Sequence, residues 1–260
     1  MAPNQERTET MTAGHPAPEG HVGPEDPDAA AHHWDEMYRS RPRVWSGRPN
    51  PQLVAEATGL EPGTALDLGC GEGADALWLA EQGWTVTAVD VSAVALERAE
   101  QHAADSAVGK RITWLQRDLG AWAPEEQFDL VSAQFLHSTE APWQRPHRVA
   151  ADAVRPGGTL LVVGHHPDGL PPWRSISNED SQGQGSNAEE HSHSHGGGGH
   201  AGSEMFFTAE QAAAELGIAP PGWRVDVAAS REREATGPDG QSAVLADAVL
   251  RATRLQPPPA

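Results

Sequence analysis

Between Thr64 and Ser92 the chain reads TALDLGCGEGADALWLAEQGWTVTAVDVS, and no other stretch restricts the fold as strongly. Residues 64–68 form a short apolar run of the length expected for a buried strand. Three glycines in five residues follow: Gly69, Gly71 and Gly73. Residues 74–82 carry helical apolar spacing and stop at Gly83, the position of a helix C-cap. Residues 84–89 make a second strand-like run, closed by Asp90. Strand, glycine turn, helix, strand and acid describe a βαβ unit. Its right-handed crossover brings the turn and the acid side by side at the carboxyl edge of a parallel sheet. A ligand with a ribose can be gripped there, the turn backbone on one part and a carboxylate on two hydroxyls.

The glycine spacing narrows the ligand. A dinucleotide fingerprint reads G-x-G-x-x-G, with the pyrophosphate on the helix N-terminus. Here the order is G-x-G-x-G, and Glu72 sits inside the loop. Its carboxylate disfavours a pyrophosphate and tolerates a cation. The string DLGCGEG, with VDVS after it, resembles the first two motifs of the class I S-adenosylmethionine-dependent methyltransferases. FDLV at 128–131 and RPGGTLLVV at 155–163 match that family too. The arrangement WDEMY…VWSGRPNP, from Trp34 to Pro51, resembles a subgroup that includes the tellurite-resistance and thiopurine enzymes. There such aromatics close over the cofactor. The resemblance covers about residues 34–255, apart from a His-rich insertion.

Taken in order, residues 1–31 are Pro, Gly, Glu and Thr with almost nothing to bury, and disorder is expected. Residues 32–39 read as a short helix, and 50–58 as a helix with Asn50 as N-cap and Pro51 at its first position. Ser92 can cap a helix over 93–107. Strands are expected at 112–115, 128–134 and 159–163, with a helix over 143–154. Residues 167–204 include HSHSHGGGGH, lack periodicity and are too long for an ordinary connection. They leave the edge where a ligand lies, so a flexible lid is expected. Thr208 begins a helix to Leu216, and 223–229 and 243–250 alternate as an antiparallel pair. Residues 256–260 form a tail. The expected fold is α/β: a doubly wound, seven-stranded, mostly parallel sheet with helices on both faces and an antiparallel last strand. The methyltransferase domain is expected over 32–255.

The resemblance implies S-adenosylmethionine as cofactor and assigns residues to each of its parts. The amino acid end falls on the backbone of Gly69, Cys70 and Gly71, with Asp67 facing the ammonium or orienting the loop. Asp90 takes both ribose hydroxyls, and Val91 packs on the adenine. Asp118 accepts from the adenine amino group or caps the next turn, with the Leu119 amide at a ring nitrogen. Gln134 faces the reacting methyl. Trp45 covers the cofactor; Trp34 either does the same or packs its helix on the sheet. His137 and His165, just past the fourth and fifth strands, are candidate catalytic groups, as bases or acceptor-orienting groups, or are ordinary loop histidines.

Composition bounds the partners. Eighteen basic against 37 acidic residues give a net charge of -19, which argues against nucleic acid and anionic membranes. No 18-residue apolar stretch and no N-terminal apolar segment occur, so the cytoplasm is expected. The single Cys70 excludes an internal disulfide and a multi-Cys metal site. The main expectation is methyl transfer to a small-molecule acceptor. One rival is a metal-handling protein built on His191, His193, His195 and His200; their Gly spacers preorganise nothing, and no metal site is assigned. Another is an NAD-dependent oxidoreductase, disfavoured by the glycine spacing and Glu72.

Overall fold

A computed structural model of the chain describes residues 29–104, 106–136, 142–169, 206–236 and 240–257. Residues 1–28, His137 and the whole of 170–205, with His191, His193, His195 and His200, lie outside them. The elements are α1 Ala29–Arg39, α2 Pro51–Ala57, β1 Thr64–Leu68, α3 Ala74–Glu81, β2 Thr85–Asp90, α4 Ala93–Ala104 and β3 Ile112–Gln116. They continue with β4 Phe128–Gln134, α5 Gln144–Asp152, β5 Val154–His165, α6 Ala209–Leu216, β6 Trp223–Thr236 and β7 Ser242–Arg254. The seven strands run in the order β3-β2-β1-β4-β5-β7-β6. β1, β2, β3, β4 and β5 pair in parallel, and β7 is antiparallel to both neighbours. Strand order therefore reverses between β1 and β4, the crevice where open α/β sheets take their ligands.

The central strands are apolar on both sides, as a sheet covered twice must be. Leu66, Leu68, Val131, Leu160 and Val162 pack with Ala150 and Ala151 of α5 and Ala209 and Ala212 of α6. Their alternates Ala65, Leu130, Leu161 and Val163 pack with Leu53 of α2, Ala76 and Leu79 of α3 and Leu96 of α4. The helix ends carry the chemistry their sequence announces. Asn50 accepts from the Gln52 amide at 2.9 Å. Thr208 and Gln211 form a reciprocal capping box, and Gly217 closes α6 at φ 70°.

Three boundaries differ from expectation. The first helix begins at Ala29, three residues inside the expected tail, because Ala29-Ala30-Ala31 is strong helix former. α5 stops at Asp152 and β5 starts at Val154; the Pro-Gly-Gly stretch is a local irregularity within the β4–β5 ladder, with Gly157 at φ 85°. The largest difference is β6, which runs to Thr236 and not to Ala229. Its second half, SREREAT, reads as a polar loop because its inward residues are arginines. Arg231 pairs with Glu56 of α2, and Arg233 with Asp247 of β7. Outward charges on such an edge also discourage pairing with another chain. β5 ends at His165 opposite Asp247, so residues 232–236 and 242–246 form a two-stranded arm beyond the carboxyl edge.

Leu130 is fully buried in the middle of the sheet. Leu130→Ala is expected to cost about 2–5 kcal/mol in a denaturant titration, through lost burial and the cavity left behind.

Candidate functional site

The turn after β1 is closed by the end of β2. The amides of Gly69 and Cys70 both donate to the Val89 carbonyl, at 2.8 and 3.0 Å. The Gly71 amide donates to Asp90 Oδ2 at 2.8 Å, and the Ser92 amide to Oδ1 at 2.9 Å. Gly69, Gly71 and Gly73 stand at φ 72°, 51° and 85°, a left-handed run that side chains resist. At Gly71 a Cβ would also lie 2.9 Å from the Tyr38 hydroxyl and 3.3 Å from Trp45 Nε1. With these three amides turned towards β2, the loop is no anion cradle. What its backbone offers a ligand is carbonyl oxygen, an acceptor for a cation.

The side chains point the same way. Asp67 is 1% exposed, and its Oδ2 has no hydrogen-bond partner. Burial, then the charges of Asp75 and Asp90, push its carboxyl well above the usual range. Asp75 accepts from the Asn50 amide at 2.6 Å, yet burial raises it to about 6. Burial also raises Asp90, against the pull of the Ser92 and Gly71 amides. On the neighbouring strand Gln134 gives its Nε2 to Ser132 Oγ at 3.0 Å and keeps a buried, unpartnered Oε1. Two orphaned acceptor oxygens thus flank the crevice between β1 and β4. A buried acceptor without a donor costs about 1–3 kcal/mol, more when charged, so both await a donor. A ligand whose ammonium donates to one and whose positively charged sulfonium, with its polarised C–H groups, faces the other meets that need, and the residues suit S-adenosylmethionine.

Glu72 corrects the sequence argument about its charge. Its carboxylate accepts from Arg98 Nη1 at 2.9 Å and from the amides of Val44 and Trp45 at 3.1–3.4 Å. Arg98 also donates to the carbonyls of Tyr38 at 2.7 Å and Arg41 at 3.0 Å. Glu72 is therefore neutralised and directed at the aromatic segment, which it ties to the glycine turn. Trp45 Nε1 donates to the Tyr38 hydroxyl at 2.9 Å, and the Trp45 ring is 51% exposed above the turn. Trp34 lies 6.4 Å from the ring of Tyr38, one turn further along the same helix. Asp35 accepts from Ser92 Oγ at 2.6 Å and joins α1 to the start of α4.

Asp118 Oδ1 accepts from the Gly120 amide at 2.7 Å, the turn-capping alternative. Leu119 is half-buried against the core. The Val91 carbonyl is held by Gln116 Nε2 at 3.1 Å, beside Asp90. Cys70 is buried, and burial pushes its thiol up, away from reactivity. His165 ends β5 with its ring 4.6 Å from that of Phe135. The edge thus brings together Trp45, Asp67, the turn, Asp90, Val91, Gln134 and His165.

Phe135, Arg98 and Arg233 escaped the sequence reading. Phe135 holds φ 49° directly after Gln134, a strained conformation for an aromatic residue, costing on the order of 1–3 kcal/mol. Nothing in the sequence marks it. Arg98 lies on the exposed-looking side of an amphipathic helix, and Arg233 in a stretch that reads as loop.

Residues 65–158 match the methyltransferase domain family. The chain is 28% identical over 180 residues to thiocyanate methyltransferase 1 of Brassica oleracea, covering 64% of this chain and 80% of that one. It is 28% identical over 135 residues to probable thiol methyltransferase 2 of Arabidopsis thaliana, covering 50% of this chain and only 60% of that one. A solved structure from work on conversion of a disulfide bond into a thioacetal group during echinomycin biosynthesis superposes with a TM-score of 0.63 at 23% identity. It covers 86% of this chain and 92% of that one, and shows the same fold.

A carboxyl raised by folding stabilises the protein below its unfolded value and loses that contribution as pH rises through its folded value. Asp67 therefore weighs against the ligand-free fold at neutral pH. Asp67→Asn is expected to melt higher than wild type at pH 7–8 (~neutral and above), with the gap narrowing towards about pH 4. Thermal melts of both proteins across that range check it; a variant that melts lower at neutral pH contradicts the reading of Asp67 as a destabilising buried acid.

Proposed function

We propose that this class I S-adenosylmethionine-dependent methyltransferase passes its methyl group to a small-molecule acceptor whose attacking atom is a soft, readily ionised sulfur. The observation that carries the cofactor half is the orphaned, buried Asp67 Oδ2 beside a turn whose first three amides are already engaged. Asp67 and the Gly69, Cys70 and Gly71 carbonyls hold the ammonium end. Asp90 keeps lone pairs for the ribose hydroxyls, since a carboxylate has about four acceptor sites. Val91 packs on the adenine, with the free side of Asp118 and the Leu119 amide at its edge. Gln134 Oε1 faces the methyl, and Trp45 covers the whole. When bound, the cofactor supplies a methyl carbon activated by a positive sulfur.

The acceptor half rests on the thiocyanate and thiol methyltransferases among the relatives. An already ionised sulfur needs no base, so alignment and exclusion of water supply the acceleration. The acceptor's lone pair forms the new carbon–sulfur bond while the old bond's pair stays on the departing sulfur. His165 orients the acceptor or takes its proton; His137 is the second candidate for that role. The metal-handling alternative rests on His191, His193, His195 and His200, which lie outside the described residues; among the described residues no group of three metal-type ligands occurs. No described helix is long and apolar enough to cross a membrane. The cytoplasm is the compartment we assign, and nucleic acid is no partner of so acidic a chain.

Isotope-labelled cofactor offered with 2-mercaptoethanol, 3-mercaptopropionate or thiocyanate tests the reading. Label is expected in the sulfur products; transfer to an amine or a catechol alone would overturn the sulfur assignment. Asp67→Asn and Asp90→Ala are each expected to weaken S-adenosylhomocysteine binding by about tenfold or more in calorimetry, from loss of a buried charge-assisted hydrogen bond.

A further inference from the structure

The carboxyl edge changes character across the switch point. β2 and β1 bring Asp90 and Asp67, and the cationic ligand belongs there. Beyond β4 come Phe135, His165 and Arg233. Arg233 leans in from the arm formed by β6 and β7. Its Nε donates to both oxygens of Asp247, at 2.8 and 3.0 Å, and its guanidinium carbon lies 5.2 Å from the centre of the Phe135 ring. Asp247 is fully buried and also accepts from Gln52 Nε2 of α2, at 3.4 Å, so the direction of the guanidinium is set from two elements. Among the described residues Nη1 and Nη2 of Arg233 make no hydrogen bond.

A guanidinium held through Nε keeps its far edge for a planar anion. That edge carries two parallel N–H groups, the spacing of a carboxylate. Phe135 gives the position. It follows Gln134 directly, its strained backbone keeps the ring at the end of β4, and that ring contacts both His165 and Arg233. An acceptor in line with the methyl enters over the same strand end. Asp247 takes the Nε side of the guanidinium of a side chain that is 24% exposed, which leaves the Nη edge accessible to an incoming ligand.

We propose that Arg233 binds a carboxylate of the methyl acceptor, so that the substrate is a small carboxylate-bearing thiol. This rests on the methyltransferase reading above. 3-Mercaptopropionate and 2-mercaptoethanol differ in that one group and serve as the probe pair. Arg233→Gln removes the site, and Arg233→Gln with Asp247→Asn removes it without leaving a buried charge unpaired. In both variants KM for 3-mercaptopropionate is expected to rise about tenfold or more, with kcat/KM for 2-mercaptoethanol and S-adenosylhomocysteine affinity within about twofold of wild type. Equal losses on both thiols, or no loss on either, overturn the assignment. A wild type that binds S-adenosylhomocysteine but methylates neither thiol would refute the sulfur reading and leave Arg233 to be judged by binding alone. For that, 3-(methylthio)propionate is titrated into the S-adenosylhomocysteine-saturated enzyme. Binding in wild type that is lost in the double variant supports the carboxylate site, and no binding in wild type overturns it.

Discussion

The junction between the glycine turn and the end of β2 is the constraint on which the rest of the site depends. One carbonyl, Val89, takes two turn amides, and one carboxylate, Asp90, takes a third along with the amide of Ser92. This brings the first turn of α3 and the first turn of α4 to the same point. It leaves Asp67 buried behind the turn with one oxygen unanswered. It also fixes where Glu72 can reach, and hence where the aromatic segment from Tyr38 to Trp45 is tied down. Losing the Asp90 carboxylate would thus free two amides and loosen the loop, besides removing the ribose contact proposed above.

Charge is arranged around that junction in three separate parts. Asp67 and Asp90 are buried and Asp75 half-buried, and loss of solvent raises all three. Glu72 is taken out of this group by Arg98. Arg233 and Asp247 form a third unit, beyond β4. A cationic ligand on the first unit and an anionic one beside the last would meet over the end of β4, where Gln134 and Phe135 lie. In-line displacement between two sulfur atoms requires such opposed approaches.

Most of the fold was legible because its signals are local. Periodicity and glycines define β1, α3 and β2, and the caps Asn50, Ser92 and Thr208 mark α2, α4 and α6 where they occur. Asp90, Gln134 and His165 stand at strand ends that the sequence locates, whereas Asp67 is picked out by the family resemblance. Illegible were features set by distant pairing. SREREAT extends β6 through its ladder with β7, and its arginines are received by Glu56, far back in the chain, and by Asp247 on the neighbouring strand. Glu72 was legible as an oddity but not as a tether, since Arg98 sits a helix away. The left-handed Phe135 comes from packing at the strand end, and no residue type announces it.

The buried acids beside the glycine turn suit a cationic ligand. Proton linkage tests it most directly. Burial raises Asp67 in the free protein and a bound ammonium lowers it, so binding expels a proton at pH values between the bound and the free pKa. Calorimetry of S-adenosylhomocysteine binding across about pH 4–8, in buffers of different ionisation enthalpy, measures that proton. Net proton release in wild type, lost in Asp67→Asn, is the expected result. Binding with no linked proton, or with the same release in the variant, would contradict the claim.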